Sequence, residues 1–358
     1  MQINFDHASH TPTDERVLAE FMRIEHQFPG NPMAAHNLGQ AAAIELGRIT
    51  AQTAQLLNCQ PQEIIYTSGA SEANNLAIKG IAAAYSHIGR HILTTPLEHP
   101  SVSSTLAHLQ PLGYEIELLK LLPNGKIDLV HLAKAIRKDT VLVCVSVIDS
   151  ELGVIQPIAE ISEILQDIHL HIDAAQAIGK IILPYVHYST LCISAHKFGG
   201  ISGAGLLIKR DGVVLEPMIH GGKGSTMYRA GTPTLSLAGS TLTALEIVQE
   251  ELPARLQKVQ SLNQFLRGKL KNINSPQDAT PYILNISTPG IRGTAIQQQL
   301  AERGINVSVK SACATDNSPS RAVMAVTGDK TRAQSSWRIS LSHHNTMKEI
   351  ETLLKWVI

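Results

Sequence analysis

Val141-Leu-Val-Cys-Val-Ser-Val147, His169-Leu-His-Ile-Asp173 and Thr190-Leu-Cys-Ile193 are three short strand-like stretches in succession. Each has the length and side-chain character of a strand. Upstream, Glu63-Ile-Ile-Tyr-Thr67, His91-Ile-Leu-Thr-Thr95 and Tyr114-Glu-Ile-Glu-Leu-Leu119 read the same way, and helical patterns lie between several of the runs. Short apolar strands alternating with helices indicate an α/β fold. Its sheet is mostly parallel, is covered by helices on both faces, and binds ligands at the carboxyl ends of the strands.

Those ends carry the reactive side chains. Thr95-Pro-Leu-Glu-His99, Asp149-Ser-Glu-Leu-Gly153, Asp173-Ala-Ala-Gln176 and Ser194-Ala-His-Lys197 each follow a strand-like run. A lysine at such an end, held among apolar walls, loses solvation of its ammonium form. A neutral amine able to form a Schiff base becomes populated, with pyridoxal phosphate the obvious aldehyde. A surface lysine in a Gly-rich hairpin fits the same residues. On the residues alone, His99 also reads as a loop histidine and Asp173 as a turn carboxylate. His169 and His171 share one face of a strand and lack further ligands at metal spacing, so they are expected to be partly exposed and metal-free. Cys144 and Cys192 interrupt apolar strands and read as inert core residues.

Ser68-Gly-Ala-Ser71 joins a strand to a helix that begins near Glu72. Either the backbone N–H groups there form an anion site, or the helix is simply capped by Ser71. No Gly-Lys-Ser/Thr follows, so this is not a nucleotide P-loop. Nearer the start, Phe28-Pro-Gly-Asn-Pro32 separates two helical patterns, and Ala41 to Leu57 is expected to be a mostly buried helix. Past the glycine-rich stretch His220 to Pro233, a long helix is expected from about Leu235 through Leu266. Tyr282 to Ser287, Thr294 to Arg303 and Trp337 to Leu341 then make a smaller α+β unit. The expected division is a large domain over 12–248 and a small one over 1–11 and 249–358.

The chain has 358 residues, long enough for two domains, with 30 Lys plus Arg against 30 Asp plus Glu. This balance, without a basic stripe, argues against nucleic acid as a ligand. No signal-peptide pattern or membrane-length apolar run is present, which places the protein in the cytoplasm. Cys59, Cys144, Cys192 and Cys313 are too scattered for a disulfide framework or a Cys-x-x-Cys site. Cys313 differs from the rest. It lies in the polar, turn-rich Val309-Lys-Ser-Ala-Cys-Ala-Thr-Asp-Asn-Ser-Pro-Ser320, with Lys310 close by, and reads either as an accessible, partly ionised thiol or as an idle loop cysteine.

Taken together, these stretches resemble the NifS-like cysteine desulfurases, in the class V aminotransferase group of fold-type I pyridoxal-phosphate enzymes. The likeness runs over nearly the whole chain. It rests on Phe5-Asp-His-Ala-Ser9, Gly30-Asn-Pro32, Tyr66-Thr-Ser-Gly-Ala-Ser-Glu-Ala-Asn-Asn75, Glu98-His-Pro100, Gly153-Val-Ile-Gln-Pro157, His171-Ile-Asp-Ala-Ala-Gln176, His196-Lys197, Arg229-Ala-Gly-Thr232, Ser311-Ala-Cys313 and Arg338-Ile-Ser-Leu341, in the family's order. The resemblance implies that Lys197 attaches the cofactor, His99 stacks on its ring, Asp173 meets the ring nitrogen and Gln176 the ring hydroxyl. It implies phosphate contacts from Ala70, Ser71, Ser194 and His196, and from Thr232 of the other subunit of a homodimer. Arg338, helped by Asn31, would grip the carboxylate of L-cysteine, and Cys313 would take the sulfur as a persulfide and pass it to a protein acceptor.

Departures from the family pattern mark a divergent paralogue. Ser150 stands where an asparagine near the cofactor hydroxyl is usual. Met33-Ala34, Ser202, Gly224-Ser-Thr226 and Lys310 replace a Ser-Ser pair, a lysine, Gln-Glu-Arg and a glycine. Two other readings therefore stay open: a selenocysteine lyase or other class V lyase or transaminase, and a low-activity cofactor-binding partner in a sulfur-transfer complex.

Overall fold

The computed structural model describes residues 2–184, 186–222, 224, 226–310 and 318–357. After β1 (Ile3–Asn4), two helices, α1 (Glu15–Gln27) and α2 (Asn37–Leu56), precede the sheet. The sheet region contains β2 (Ile64–Thr67), α3 (Ala70–Ala84), β3 (His91–Thr94), α4 (Pro100–Leu109), β4 (Glu115–Leu118) and α5 (Leu129–Ala135). It continues with β5 (Thr140–Ser146), α6 (Ile158–Leu165), β6 (His169–Asp173), β7 (Thr190–Ser194) and β8 (Gly205–Lys209).

Seven strands pair in the order β2-β8-β7-β6-β5-β3-β4, and only β8 runs antiparallel to its neighbours. The alternation of side chains divides the core. Leu142 and Cys144 face α3 and α4, with Ile78, Ile81, Val102 and Leu106. Val143 and Val145 face the other way, with Ile158 and Ile161 of α6 and the more distant Leu245 and Val248. Every residue of β5 is buried, as expected of a central strand covered on both faces.

The 35-residue α7 (Leu235–Lys269) contains Pro253 and packs on α1 and α2. Beyond it lie β9 (Ile283–Ser287), α8 (Gly293–Ala301), β10 (Ile305–Asn306), α9 (Arg321–Thr327), α10 (Lys330–Ser335), β11 (Ser336–Ser340) and α11 (Met347–Val357). β9 and β11 pair antiparallel, and β1 pairs with β10, so the first residues of the chain join its last third.

One expectation fails. The helix over Ala41 to Leu57 is not mostly buried in the single chain. Ile49 and Ala54 are covered, but Ile44 is 75% exposed, and just before it Leu38 is 57% exposed. Its alanines made the segment apolar in composition, yet only one face of α2 meets α7, so the other is left on the surface.

Candidate active site

A cavity of about 280 Å³ opens at the carboxyl ends of β5, β6 and β7, and Asp173, Gln176, His99, Lys197, Ser194, His196, Ser150 and Arg338 line it together with Ala70 and Ser71. The strands explain the convergence. β6 ends at Asp173 and β7 at Ser194, one turn before Lys197, while α3 and α4 start beside them with Ala70 and Pro100.

At one wall the chain turns sharply from β2 into α3. Gly69 holds φ at +146°, which a side chain would oppose, and a Cβ on Gly205 would come within 2.4 Å of the Gly69 Cα. Gly69, not Ser71, is the N-cap, and no side chain caps the helix. The amides of Ala70 and Ser71 therefore face the cavity without intrahelical acceptors, at the positive end of a 15-residue helix. Ser194 Oγ lies 3.1 Å from His196 Nδ1, and burial, followed by the charge of Lys197, lowers the His196 pKa to about 4. A phosphate here would meet neutral donors and helix N–H groups.

Lys197 Nζ donates to the carbonyls of Ala8 and Ser9 at 2.9 and 2.7 Å. Its setting is thus more polar than the expected apolar walls. Asp173 is 5% exposed and its carboxylate accepts from Asn74 Nδ2 at 2.9 Å, from the Ala175 amide at 2.9 Å and from Cys192 Sγ at 3.3 Å. Gln176 donates through Nε2 to the Ala8 carbonyl at 2.8 Å.

Asn74, which sequence reasoning did not single out, ties these groups together. Its amide N–H groups reach both Asp173 and Ser101 Oγ (2.8 Å), and its oxygen lies 2.8 Å from His171 Nε2. His171 is therefore not a partly exposed strand histidine. It is completely buried, and burial lowers its pKa to about 4, so the neutral ring gives its Nε2 proton to Asn74 and takes the Thr190 hydroxyl proton at Nδ1. The same logic reaches His99. Ser101 Oγ accepts from Asn74, so its own proton points to His99 Nδ1 at 2.8 Å, and the Ser101 amide also donates to that nitrogen. Burial lowers the His99 pKa as well. The neutral His99 then carries its proton on Nε2. Cys192 and Cys144 are buried with pKa values raised by burial, as expected of unreactive thiols, although Cys192 also braces Asp173.

Arg338 is 1% exposed. It donates to the Ser150 carbonyl at 2.7 Å, and to Asp6 and Ser9 Oγ at 2.6 and 3.0 Å, while its Nε has no partner. Asn31 is not brought to it: Asn31 Nδ2 reaches Thr232 Oγ1 at 3.4 Å, and neither residue lines the cavity. Cys313 lies outside the described residues. Of its described flanks, Ser308 pairs through its backbone with Arg338, which lines the cavity, and Ser320 Oγ donates at 2.6 Å to Glu151, the neighbour of Ser150.

The aminotransferase class-V family model matches residues 3–353. A putative cysteine desulfurase IscS 1 from Bacillus subtilis is 34% identical, covering 99% of this chain and 97% of its own, and the cysteine desulfurase IscS of Aeromonas salmonicida is 35% identical, covering 100% and 92%. Among solved structures, a NifS-like protein superposes with a TM-score of 0.93 at 32% identity, over 100% of this chain and 98% of its own. An SspA protein in complex with cysteine gives 0.84 at 29% identity, over 97% and 100%. The chain belongs to the aminotransferase class-V family and, within it, to the NifS-like cysteine desulfurases.

Proposed function

We propose that this desulfurase uses pyridoxal phosphate to release alanine from free L-cysteine, and that the sulfur leaves on Cys313. The observation that carries this reading is the convergence of an amine, a carboxylate, an imidazole and a helix N-terminus on one cavity. These residues fit the cofactor: the amides of Ala70 and Ser71, with Ser194 and His196, suit its phosphate, Asp173 its ring nitrogen, Gln176 its ring oxygen and Lys197 its aldehyde. When bound, it supplies the electron sink that makes loss of the substrate's α-proton accessible.

The remaining steps belong to the chain. Arg338 lines the cavity, and its planar guanidinium suits the two oxygens of a substrate carboxylate, which would take the place of its contacts with Asp6 and Ser9. Lys197, placed by two carbonyls, moves the α-proton. His99 presents Nε2–H over the cavity as a donor of fixed tautomer. The Cys313 thiolate attacks the substrate sulfur, so an S–S bond forms as the C–S bond breaks. The electron pair stays on carbon, and protonation there completes alanine. Cys313 is the fifth residue after Ser308, a reach of up to roughly 17 Å. An acceptor thiol would then remove the sulfur.

We also infer a homodimer: Thr232 does not line its own chain's cavity, which leaves it for a partner's, and the exposed Leu38 and Ile44 leave apolar surface to be covered. The large and small domains are taken to divide near residue 248, within α7, and a cytoplasmic protein suits free L-cysteine as substrate. The direct assay is alanine release from L-cysteine by cofactor-loaded protein with a reductant present. No alanine above the Lys197→Ala background would refute the reading.

A further inference from the structure

Lys180 is the least expected charge in the molecule. It is 6% exposed in the turn after β6, and no carboxylate pairs with it among the described residues. Lysines are seldom hidden this completely without an ionic partner. Its Nζ donates to Gln176 Oε1. Gln176 Nε2 in turn donates to the Ala8 carbonyl at 2.8 Å, and that same carbonyl accepts from Lys197 Nζ at 2.9 Å. A short relay thus joins the buried amine to the lysine of the cavity.

The relay decides which way the Gln176 amide points. Turned over, its oxygen would face the Ala8 carbonyl, and its nitrogen would face Lys180 Nζ, two like-with-like contacts in a buried place as long as Lys180 is protonated. As built, one N–H is used on Ala8 and the second is left for the cavity that Gln176 lines. Sequence spacing alone concealed this, because Lys180 lies behind Gln176 and does not itself line the cavity. Burial is the largest influence on Lys180 and lowers its pKa to about 7, with the charges of Lys197 and Arg338 adding to it. His196 feels Lys180 in turn, with His10 stacked on it, and Arg338 is paired with Asp6. Asp173 lines the same cavity as Gln176.

We propose that Lys180 is a positioning residue for the cofactor: it holds the Gln176 N–H toward the cofactor's ring oxygen and so lowers the proton affinity of the cofactor-bound Lys197. This rests on the pyridoxal-phosphate reading above. An N–H donor favours the anionic form of that oxygen and weakens its hold on a shared proton. Methionine at 180 fills similar space with no donor, and removing a buried amine relieves a desolvation cost, so the variant is expected to fold.

The test is a pH titration of the visible band of cofactor-loaded protein without substrate. Lys180→Met and, as a second apolar replacement, Lys180→Leu should move the transition upward by about half a pH unit, and Gln176→Leu by about one. The double variant Lys180→Met/Gln176→Leu should match Gln176→Leu alone. An unmoved transition in a folded Lys180 variant, or a full additional shift in the double variant, overturns the route through Gln176. Absence of the band in wild-type protein given excess cofactor would instead remove the cofactor reading itself, and this inference with it.

Discussion

The same strands present two recesses, one at each end, and the larger is the less reactive. At the amino ends of β6 and β7 a hollow of about 590 Å³ is lined by Cys59, Glu63, His169, Ser189 and Arg210. Its polar groups are already satisfied by one another. Glu63 pairs with Arg210 at 2.9 Å and accepts from the Asp211 and Gln60 amides, each at 2.8 Å. Arg210 lies over the Tyr188 ring at 4.3 Å, and His169 is 2.9 Å from Ser189. Burial pushes the Cys59 thiol up to about 11. At the carboxyl ends, the 280 Å³ cavity keeps the helix amides of Ala70 and Ser71 unspent. Reactivity follows from groups held toward an empty space rather than from its size.

Substitutions at the two ends can break this contrast. Lys197→Ala should reduce alanine formation by about a thousandfold or more, because both cofactor attachment and proton transfer are lost. A residual rate within tenfold of wild type would detach Lys197 from the chemistry.

Asn74→Leu sharpens the comparison by testing whether the carboxyl end depends on its hidden bracing. It leaves the His171 Nε2–H and one Asp173 oxygen without partners and frees the Ser101 proton from its direction. Activity should drop by about a hundredfold while the cofactor still binds. Unchanged kcat, with only a stability loss of about 1–3 kcal/mol, would reduce Asn74 to a structural residue.

Two buried glutamates extend the contrast to pH. For Glu98, burial is the largest influence and raises the pKa to about 7, against donors from Ser146 and Thr95. The folded state therefore holds its proton more tightly than the unfolded chain. Its stabilisation is full below pH 4.5 and is lost as pH rises through 7, by roughly 3 kcal/mol. For Glu63, burial is again the largest influence and pushes upward, but the Gln60 and Asp211 amides and Arg210 together overcome it, and its pKa is lowered. Its contribution is present at neutral pH and is lost on acidification. Denaturation of Glu98→Gln across this range should show less loss toward pH 7 than wild type, and Glu63→Gln less loss toward acid. Identical slopes in all three proteins would contradict both assignments. The smallest effect is expected from Cys59→Ala in the larger hollow, which should leave alanine formation within about twofold.

Much of this was legible in the sequence because strands buried on both faces announce themselves as nearly continuous apolar runs, as β5 and β7 do, while β6 shows as an alternation of polar and apolar residues. Asp173, Ser194 and Lys197 could be placed because each ends or follows such a strand. Asn74 could not be assigned its bracing role, since its partner Asp173 is 99 residues away and only the packing of α3 on the sheet brings them together. A signal for His171 was present: it lies mid-strand between Leu170 and Ile172, in a sheet expected to be covered on both faces. The exposure of α2 was hidden by its alanines, which suit a helix whether it is covered or bare.

The central claim is that Lys197 and its neighbours work on the carbon skeleton while Cys313 takes the sulfur. Cofactor-loaded wild-type protein and Cys313→Ser can each be mixed with L-cysteine without reductant, reading both alanine and the mass of the Cys313 peptide. A serine hydroxyl is scarcely ionised at neutral pH and cannot form a persulfide. The account predicts one alanine for each added sulfur atom on the wild-type peptide, and almost no alanine from Cys313→Ser although it binds the cofactor normally. Alanine formed by Cys313→Ser near the wild-type rate, or by wild type with no sulfur on Cys313, would contradict it.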